Sequence, residues 1–129
     1  MPAPLYAHRL ALVLATLTGV LTLAAPAIAS GDVIARKTLQ FAPGSNSASV
    51  RDTVARGNEI AYRVEVANPR SMTVEVDGAA SFTVFDPDGK LWARYVPSPF
   101  TTTVKPGVWE IQVGSQTQDV TYTLTVTIR

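Results

Sequence analysis

The sequence predicts an all-β protein: an antiparallel, jelly-roll-like β-sandwich of eight or nine short strands, preceded by a signal peptide. Three observations predict it. Segments that alternate apolar and polar residues recur about every ten residues, with Gly, Pro, Asn and Asp clustered between them. Apolar residues at helical spacing are absent from the same stretch. A single open sheet on a chain of 129 residues would leave one face unburied, so the strands must close into two packed layers or a barrel.

The leader comes first. His8 and Arg9 lead into an apolar run over residues 10–23, followed by Ala24-Ala25-Pro26 and the small-residue pattern Ala27-Ile28-Ala29. That is the layout of a secretory signal peptide, with cleavage expected after Ala29. The competing reading is an uncleaved anchor, because ~20 apolar residues span a bilayer. Thr16, Thr18, Gly19, Thr22 and Pro26 interrupt the run and no basic cluster follows it, which favours cleavage.

Cleavage there leaves a domain of residues 30–129. Arg9 is the only charged residue removed, so the 11 basic residues fall to 10 and balance the 10 acidic ones. A neutral chain without a basic block lacks the electrostatic footprint of a nucleic-acid binder, and no membrane span remains after cleavage. His8 is the only histidine and there is no cysteine. Serine triads, imidazole acid/base chemistry, thiolate nucleophiles and cysteine- or histidine-held metals are therefore excluded from the mature domain, and no cofactor is expected. Export without disulfides suits a bacterial periplasm or exterior. Asn46, Asn58 and Asn68 do not form glycosylation sequons.

The first two strands are expected over 33–41 and 48–54, divided by Ala42-Pro43-Gly44-Ser45-Asn46. The clearest strand is 59–66, with Ile60, Tyr62, Val64 and Val66 on one face and Glu59, Ala61, Arg63 and Glu65 on the other. Asn68-Pro69-Arg70-Ser71 turns the chain, and Met72, Val74 and Val76 repeat the alternation. Strands 80–85 and 90–96 flank Asp86-Pro87-Asp88-Gly89, whose Pro at the second position and Gly at the fourth describe a type I hairpin turn. Strand 100–104 follows Pro97-Ser98-Pro99. Strand 108–114 follows Lys105-Pro106-Gly107 and aligns Trp109, Ile111 and Val113, which places Trp109 in the core. In the last strand, 120–128, Tyr122, Leu124, Val126 and Ile128 alternate with four threonines that suit a solvent face.

Few residues offer chemistry. Asp86 and Asp88 resemble half a calcium site, but Asp-Pro-Asp-Gly is favoured as a turn for local reasons, so no metal site is expected. An acid-based hydrolase built from Asp86, Asp88 or Glu110 would need a cleft that a small sandwich has little volume to form. Strand alternation puts Trp92 and Arg94 on one face and Leu91, Ala93 and Tyr95 on the other. If Arg94 meets solvent, Trp92 beside it is partly exposed, giving an aromatic-plus-arginine patch of the kind found at binding hot spots. The alternative is Trp92 packed beneath a loop with Arg94 passing over it.

The order Phe41-Ala42-Pro43-Gly44, Ser47-Ala48, Gly57, Tyr62-Arg63-Val64, Phe82-Thr83-Val84, Pro87-Asp88-Gly89, Gly107-Val108-Trp109-Glu110-Ile111-Gln112-Val113 and Tyr122-Thr123-Leu124-Thr125-Val126 resembles two related groups. These are the bacterial pre-peptidase C-terminal (PPC) β-sandwich domains and, closer in architecture, the periplasmic inhibitors of g-type lysozyme. The resemblance covers nearly all of the mature chain. It implies a free-standing sandwich that meets a lysozyme cleft with loops bearing arginine and tyrosine, one of them a basic stretch between the last two strands. Here that stretch reads Gly114-Ser115-Gln116-Thr117-Gln118-Asp119, without a basic residue, so no arginine is carried over to it. Arg94-Tyr95 is the matching polar-aromatic element.

The expected function is an exported, non-enzymatic binding protein that resembles g-type lysozyme inhibitors and occludes the active cleft of a lysozyme or another envelope hydrolase. Its expected partner-binding residues are Trp92, Arg94 and Tyr95, with Gln116 and Gln118 as weaker polar contacts, and no residue is assigned a catalytic role. The alternative is a PPC-like sandwich that binds cell-wall polysaccharide or a partner protein without inhibiting anything.

Overall fold

The computed structural model describes residues 31–129; the leader and its cleavage point lie outside them. Nine strands make up the fold: β1 (Asp32–Thr38), β2 (Ser47–Val54), β3 (Asn58–Val66), β4 (Arg70–Asp77), β5 (Ser81–Phe85), β6 (Leu91–Arg94), β7 (Phe100–Val104), β8 (Gly107–Gly114) and β9 (Val120–Ile128). They form one sheet in the order β1-β3-β8-β5-β6 and a second in the order β2-β9-β4-β7. Taken without β1, this is the strand order of a jelly roll. Consecutive strands cross from sheet to sheet, and only the β5–β6 hairpin stays within one.

β1 adds to the outside of that arrangement and runs parallel to β3, the one parallel pair among the described strands. The reason is topological: β1 leads into β2 on the opposite sheet, and β2 returns into β3, so no tight hairpin forces antiparallel pairing. Its register slips between Val33 and Ala35, leaving Ile34 exposed.

Alternation builds the core. In the five-stranded sheet Ile60 pairs with Val113, Tyr62 with Ile111 and Val64 with Trp109, and β5 adds Phe82 and Val84 beside them. Met72, Val74, Tyr122, Leu124 and Val126 face them from the four-stranded sheet. Each large apolar side chain so buried contributes about 1.5–3 kcal/mol. Trp109 is fully buried as expected, with its Nε1 donating to the Lys105 carbonyl at 2.9 Å.

The opposite, wet face of the four-stranded sheet carries cross-strand hydroxyl pairs: Ser49 with Thr125 and Thr53 with Thr121, each at 2.8 Å, and Thr73 with Thr101 at 2.9 Å. Hydroxyls directly opposite each other stabilise neighbouring strands without demanding burial. Between the sheets, Tyr62 of β3 meets Tyr122 of β9 edge to face, and Asp52 of β2 and Lys37 of β1 extend the contact to solvent.

Two strands end earlier than the sequence predicts. β1 stops at Thr38 rather than 41, where Leu39 turns inward and donates its N–H to the Arg63 carbonyl at 2.9 Å. β6 stops at Arg94 rather than 96, because Tyr95 adopts φ 52° and the chain leaves for β7 in the other sheet.

Candidate partner-binding site

The β5–β6 turn fixes one end of the region. Asp86 Oδ1 accepts the N–H groups of Asp88 and Lys90, each at 2.9 Å, and Gly89 N–H closes the turn on the Asp86 carbonyl at 2.9 Å. Lys105 Nζ lies 2.7 Å from Asp88 and 4.0 Å from Asp86. Its hydrogen bond, and then its charge, hold the Asp88 carboxyl below the usual carboxylate range, and Asp88 in turn raises Lys105. The two aspartates thus serve the turn, with an ammonium group where a cation would stand. Among the described residues no group of three or more metal-ligating side chains gathers.

β6 carries the first candidates. Ala93 pairs with Val84 and Arg94 with Thr83, but Leu91 pairs with Phe85, so Trp92 is an extra residue in a bulge. The expected sharing of one face by Trp92 and Arg94 is therefore corrected. Arg94 stands on the outer face of the five-stranded sheet, opposite Thr83, whereas the Trp92 ring turns to the open side of the sandwich and packs edge-on against Trp109, centroids 5.2 Å apart. Trp92 Nε1 donates to Thr102 Oγ1 at 3.0 Å, and the indole remains 46% exposed. It is at once a lid over Trp109 and a surface aromatic, beside a groove of about 480 Å³ lined by Pro69, Thr103 and Lys105.

Tyr95 follows in the left-handed region at φ 52°, which costs a non-glycine residue of order 1–3 kcal/mol and persists only where the surroundings fix it. Two hydrogen bonds do so: Tyr95 N–H donates to the Phe82 carbonyl at 3.0 Å, and Val76 N–H donates to Ser98 Oγ at 3.0 Å, tying the 95–99 loop to β4. The Tyr95 ring is 48% exposed and lies 5.9 Å from the Arg94 guanidinium, within reach of a cation–π contact.

The 115–119 loop is equally well built. Ser115 Oγ accepts the N–H groups of Thr117 and Gln118 at 3.2 and 3.3 Å, the Ser115 carbonyl accepts Gly57 N–H at 2.8 Å, and Asp119 Oδ1 accepts Arg56 N–H at 2.8 Å. Gln116 and Gln118 are exposed on it.

Register brings most of these together. Gly114 pairs with Ser81 and Arg94 with Thr83, so the 95–99 and 115–119 loops leave the same end of the five-stranded sheet with β5 between them, roughly 10 Å apart at ~4.8 Å per strand. Arg94, Tyr95, Gln116 and Gln118 share that end; Trp92 sits farther down the open side. Arg56, in the β2–β3 loop, is delivered there too and was not among the residues marked from the sequence. A turn at Ala55-Arg56-Gly57 was readable, but only the topology tells which end it occupies.

No protein-family model and no curated protein sequence matches this chain. Solved structures do. The periplasmic inhibitor of g-type lysozyme PliG from Aeromonas hydrophila superposes with a TM-score of 0.67 at 24% identity, over 77% of this chain and 100% of that one. PliG from Salmonella Typhimurium gives 0.60 at 18% identity, over 73% of this chain and 97% of that one. The pre-peptidase C-terminal domain of a Bacillus anthracis collagenase gives 0.56 at 16% identity, over 74% and 96%.

The chain has the fold of these sandwiches. Both groups that the sequence resembles stand among its structural neighbours, and identities this low make the likeness one of architecture.

Proposed function

We propose that this chain is an exported, non-enzymatic binding protein that inhibits a lysozyme-type envelope hydrolase, g-type lysozyme first among them, by seating the loop end of its sandwich in the enzyme's cleft. The observation that carries the reading is Arg94-Tyr95: an arginine and an aromatic ring, both exposed and within cation–π reach of each other, where a strained backbone is held in place before any partner arrives. Preorganised anchors of this type dominate interface energetics and lower the ordering cost of association. Arg56, Gln116 and Gln118 surround the anchor as its polar rim, and Trp92 extends it along the open side. The PliG proteins inhibit g-type lysozyme on the same fold, which supports the choice of target. The expected signal peptide, with cleavage after Ala29, supports a location in the periplasm or outside the cell.

The test is a cell-wall lysis assay with g-, c- and i-type lysozymes and purified mature protein. Inhibition of the g-type enzyme is expected; no inhibition of any of the three at micromolar excess overturns the proposal. The neutral 115–119 loop favours a second reading, a sandwich that binds cell-wall polysaccharide or a partner protein without inhibiting it. Sedimentation with insoluble peptidoglycan, in the absence of inhibition, would select that reading.

A further inference from the structure

A second cavity lies on the outer face of the five-stranded sheet, apart from the loop end. Cross-strand pairing sets out a row across it: Leu91, Phe85, Glu110, Arg63 and Thr38, each opposite the next on neighbouring strands. A cavity of about 540 Å³ opens over this row, lined by Arg63, Phe85, Pro87, Val108, Glu110 and Gln112 and closed at one side by the Asp86 turn. Its size falls within the ~300–1,000 Å³ of small-molecule sites.

The wall is chemically unbalanced. Arg63 stands directly opposite Glu110 across the β3–β8 pair, where a cross-strand ion pair is expected. Glu110 is engaged elsewhere: Gln112 Nε2 donates to its Oε2 at 2.6 Å, and Arg36 Nε lies 3.8 Å from its Oε1. Asp86, the other carboxylate of the lining, spends Oδ1 on the turn and has Lys105 at 4.0 Å. Arg63 is left without an ion pair among the described residues, an exposed planar donor beside an apolar patch of Phe85, Pro87 and half-exposed Val108. Gln112, having given its N–H to Glu110, offers its amide oxygen as an acceptor.

We infer that this cavity binds a small N-acylated carboxylic acid. Its carboxylate pairs with the Arg63 guanidinium, its amide N–H or hydroxyl donates to Gln112 Oε1, and its apolar acyl or ring face lies on Phe85, Pro87 and Val108. Fork-shaped donors suit a carboxylate better than a point charge does, and the adjoining acceptor demands a donor on the same ligand. Acidic amino sugars and N-acyl peptides both carry this pattern.

Amide-resolved NMR titration of the mature protein tests the site with three probes: N-acetylmuramic acid, N-acetyl-D-alanyl-D-alanine and, as the neutral control, N-acetylglucosamine. Saturable shifts at Arg63, Val108 and Gly89 are expected with at least one of the two acids and not with the neutral sugar. Which acid binds tells a sugar source from a peptide source. Arg63→Gln is expected to weaken binding about tenfold or more, and Arg63→Lys to retain part of it. Val108→Glu, on an exposed position, places a like charge against the carboxylate and is expected to abolish it. Equal shifts with the neutral sugar, unchanged affinity in Arg63→Gln, or no saturable shift with either acid overturns the site. None of these residues belongs to the proposed inhibitory surface, so the lysis assay and this titration succeed or fail independently.

Discussion

The hydroxyls of Tyr62 and Tyr122 meet at 2.5 Å across the space between the two sheets. Tyr62 donates its single hydrogen to Asp52 Oδ2 at 2.6 Å, so Tyr122 must be the donor within the pair. Lys37 Nζ reaches Asp52 Oδ1 at 2.7 Å and completes a chain of polar contacts through four strands. A core that is otherwise apolar is thereby tied at one fixed registration of sheet on sheet.

Removing either hydroxyl should be asymmetric. Tyr122→Phe deletes one donor and is expected to cost about 0.5–1.5 kcal/mol, whereas Tyr62→Phe takes the donor from Asp52 Oδ2 and the acceptor from the Tyr122 hydroxyl and is expected to cost about 1–3 kcal/mol. Urea unfolding of the two variants measures the order; a smaller loss in Tyr62→Phe would contradict the assigned donor directions.

The same pair sets an alkaline limit. Burial first, then the hydrogen bond to Asp52, pushes Tyr62 well above the ordinary tyrosine value, and burial pushes Tyr122 up to about 12. Both groups hold their protons more tightly folded than unfolded. Their contribution is therefore fully present below the unfolded value of about 10 and is lost as pH rises toward the folded values. Stability is expected to be insensitive to these groups near neutrality and to fall from about pH 10 upward, with the tyrosinate absorbance of Tyr62 and Tyr122, read in a Tyr95→Phe background, rising in step with loss of β-sheet circular dichroism. A tyrosinate signal from Tyr122 well before unfolding would refute the coupling.

The tryptophans should separate cleanly. Trp109→Ala empties the middle of the core and is expected to cost about 3–5 kcal/mol. Trp92→Ala removes an edge-on aromatic contact worth about 0.5–1.5 kcal/mol and leaves the fold intact. Thermal melts distinguish them, and in the inhibition assay Trp92→Ala is expected to weaken the effect while Arg94→Ala and Tyr95→Ala abolish most of it.

Tyr95 allows a sharper separation of stability from function. Tyr95→Gly relieves the left-handed backbone strain and is expected to keep or raise the melting temperature while losing inhibition. A variant that melts lower and still inhibits would remove Tyr95 from the interface.

In the turn, Asp86→Ala leaves two backbone N–H groups without their acceptor and is expected to destabilise by about 1–3 kcal/mol. Asp88→Asn breaks only an exposed pair with Lys105, and such pairs contribute little, so its melting temperature is expected to match the parent's. Comparable losses in the two variants would show that the surface pair, not the cap, holds the hairpin.

Much of this architecture was legible from alternation alone. Strands 100–104 and 120–128 match β7 and β9, the Asp86 turn forms as its residue types predict, and Trp109 lies in the core in phase with Ile111 and Val113. What alternation cannot register is a bulge: one extra residue at Trp92 separates it from the face of Arg94. Nor can a local pattern say which loops gather. Arg94 and Tyr95 stood out as residue types, but Arg56 joins them only because β2 and β8 happen to end on the same side, and the row that places Arg63 opposite an already engaged Glu110 is a property of pairing across five strands.

β1 stands outside an eight-strand weave that is complete without it, attached along a single neighbour and carrying Lys37, Arg36 and a slipped register on its open border. The charged, irregular hem gives a neighbouring molecule no straight edge on which to continue the sheet, so the border that β1 adds also closes the domain to further strands.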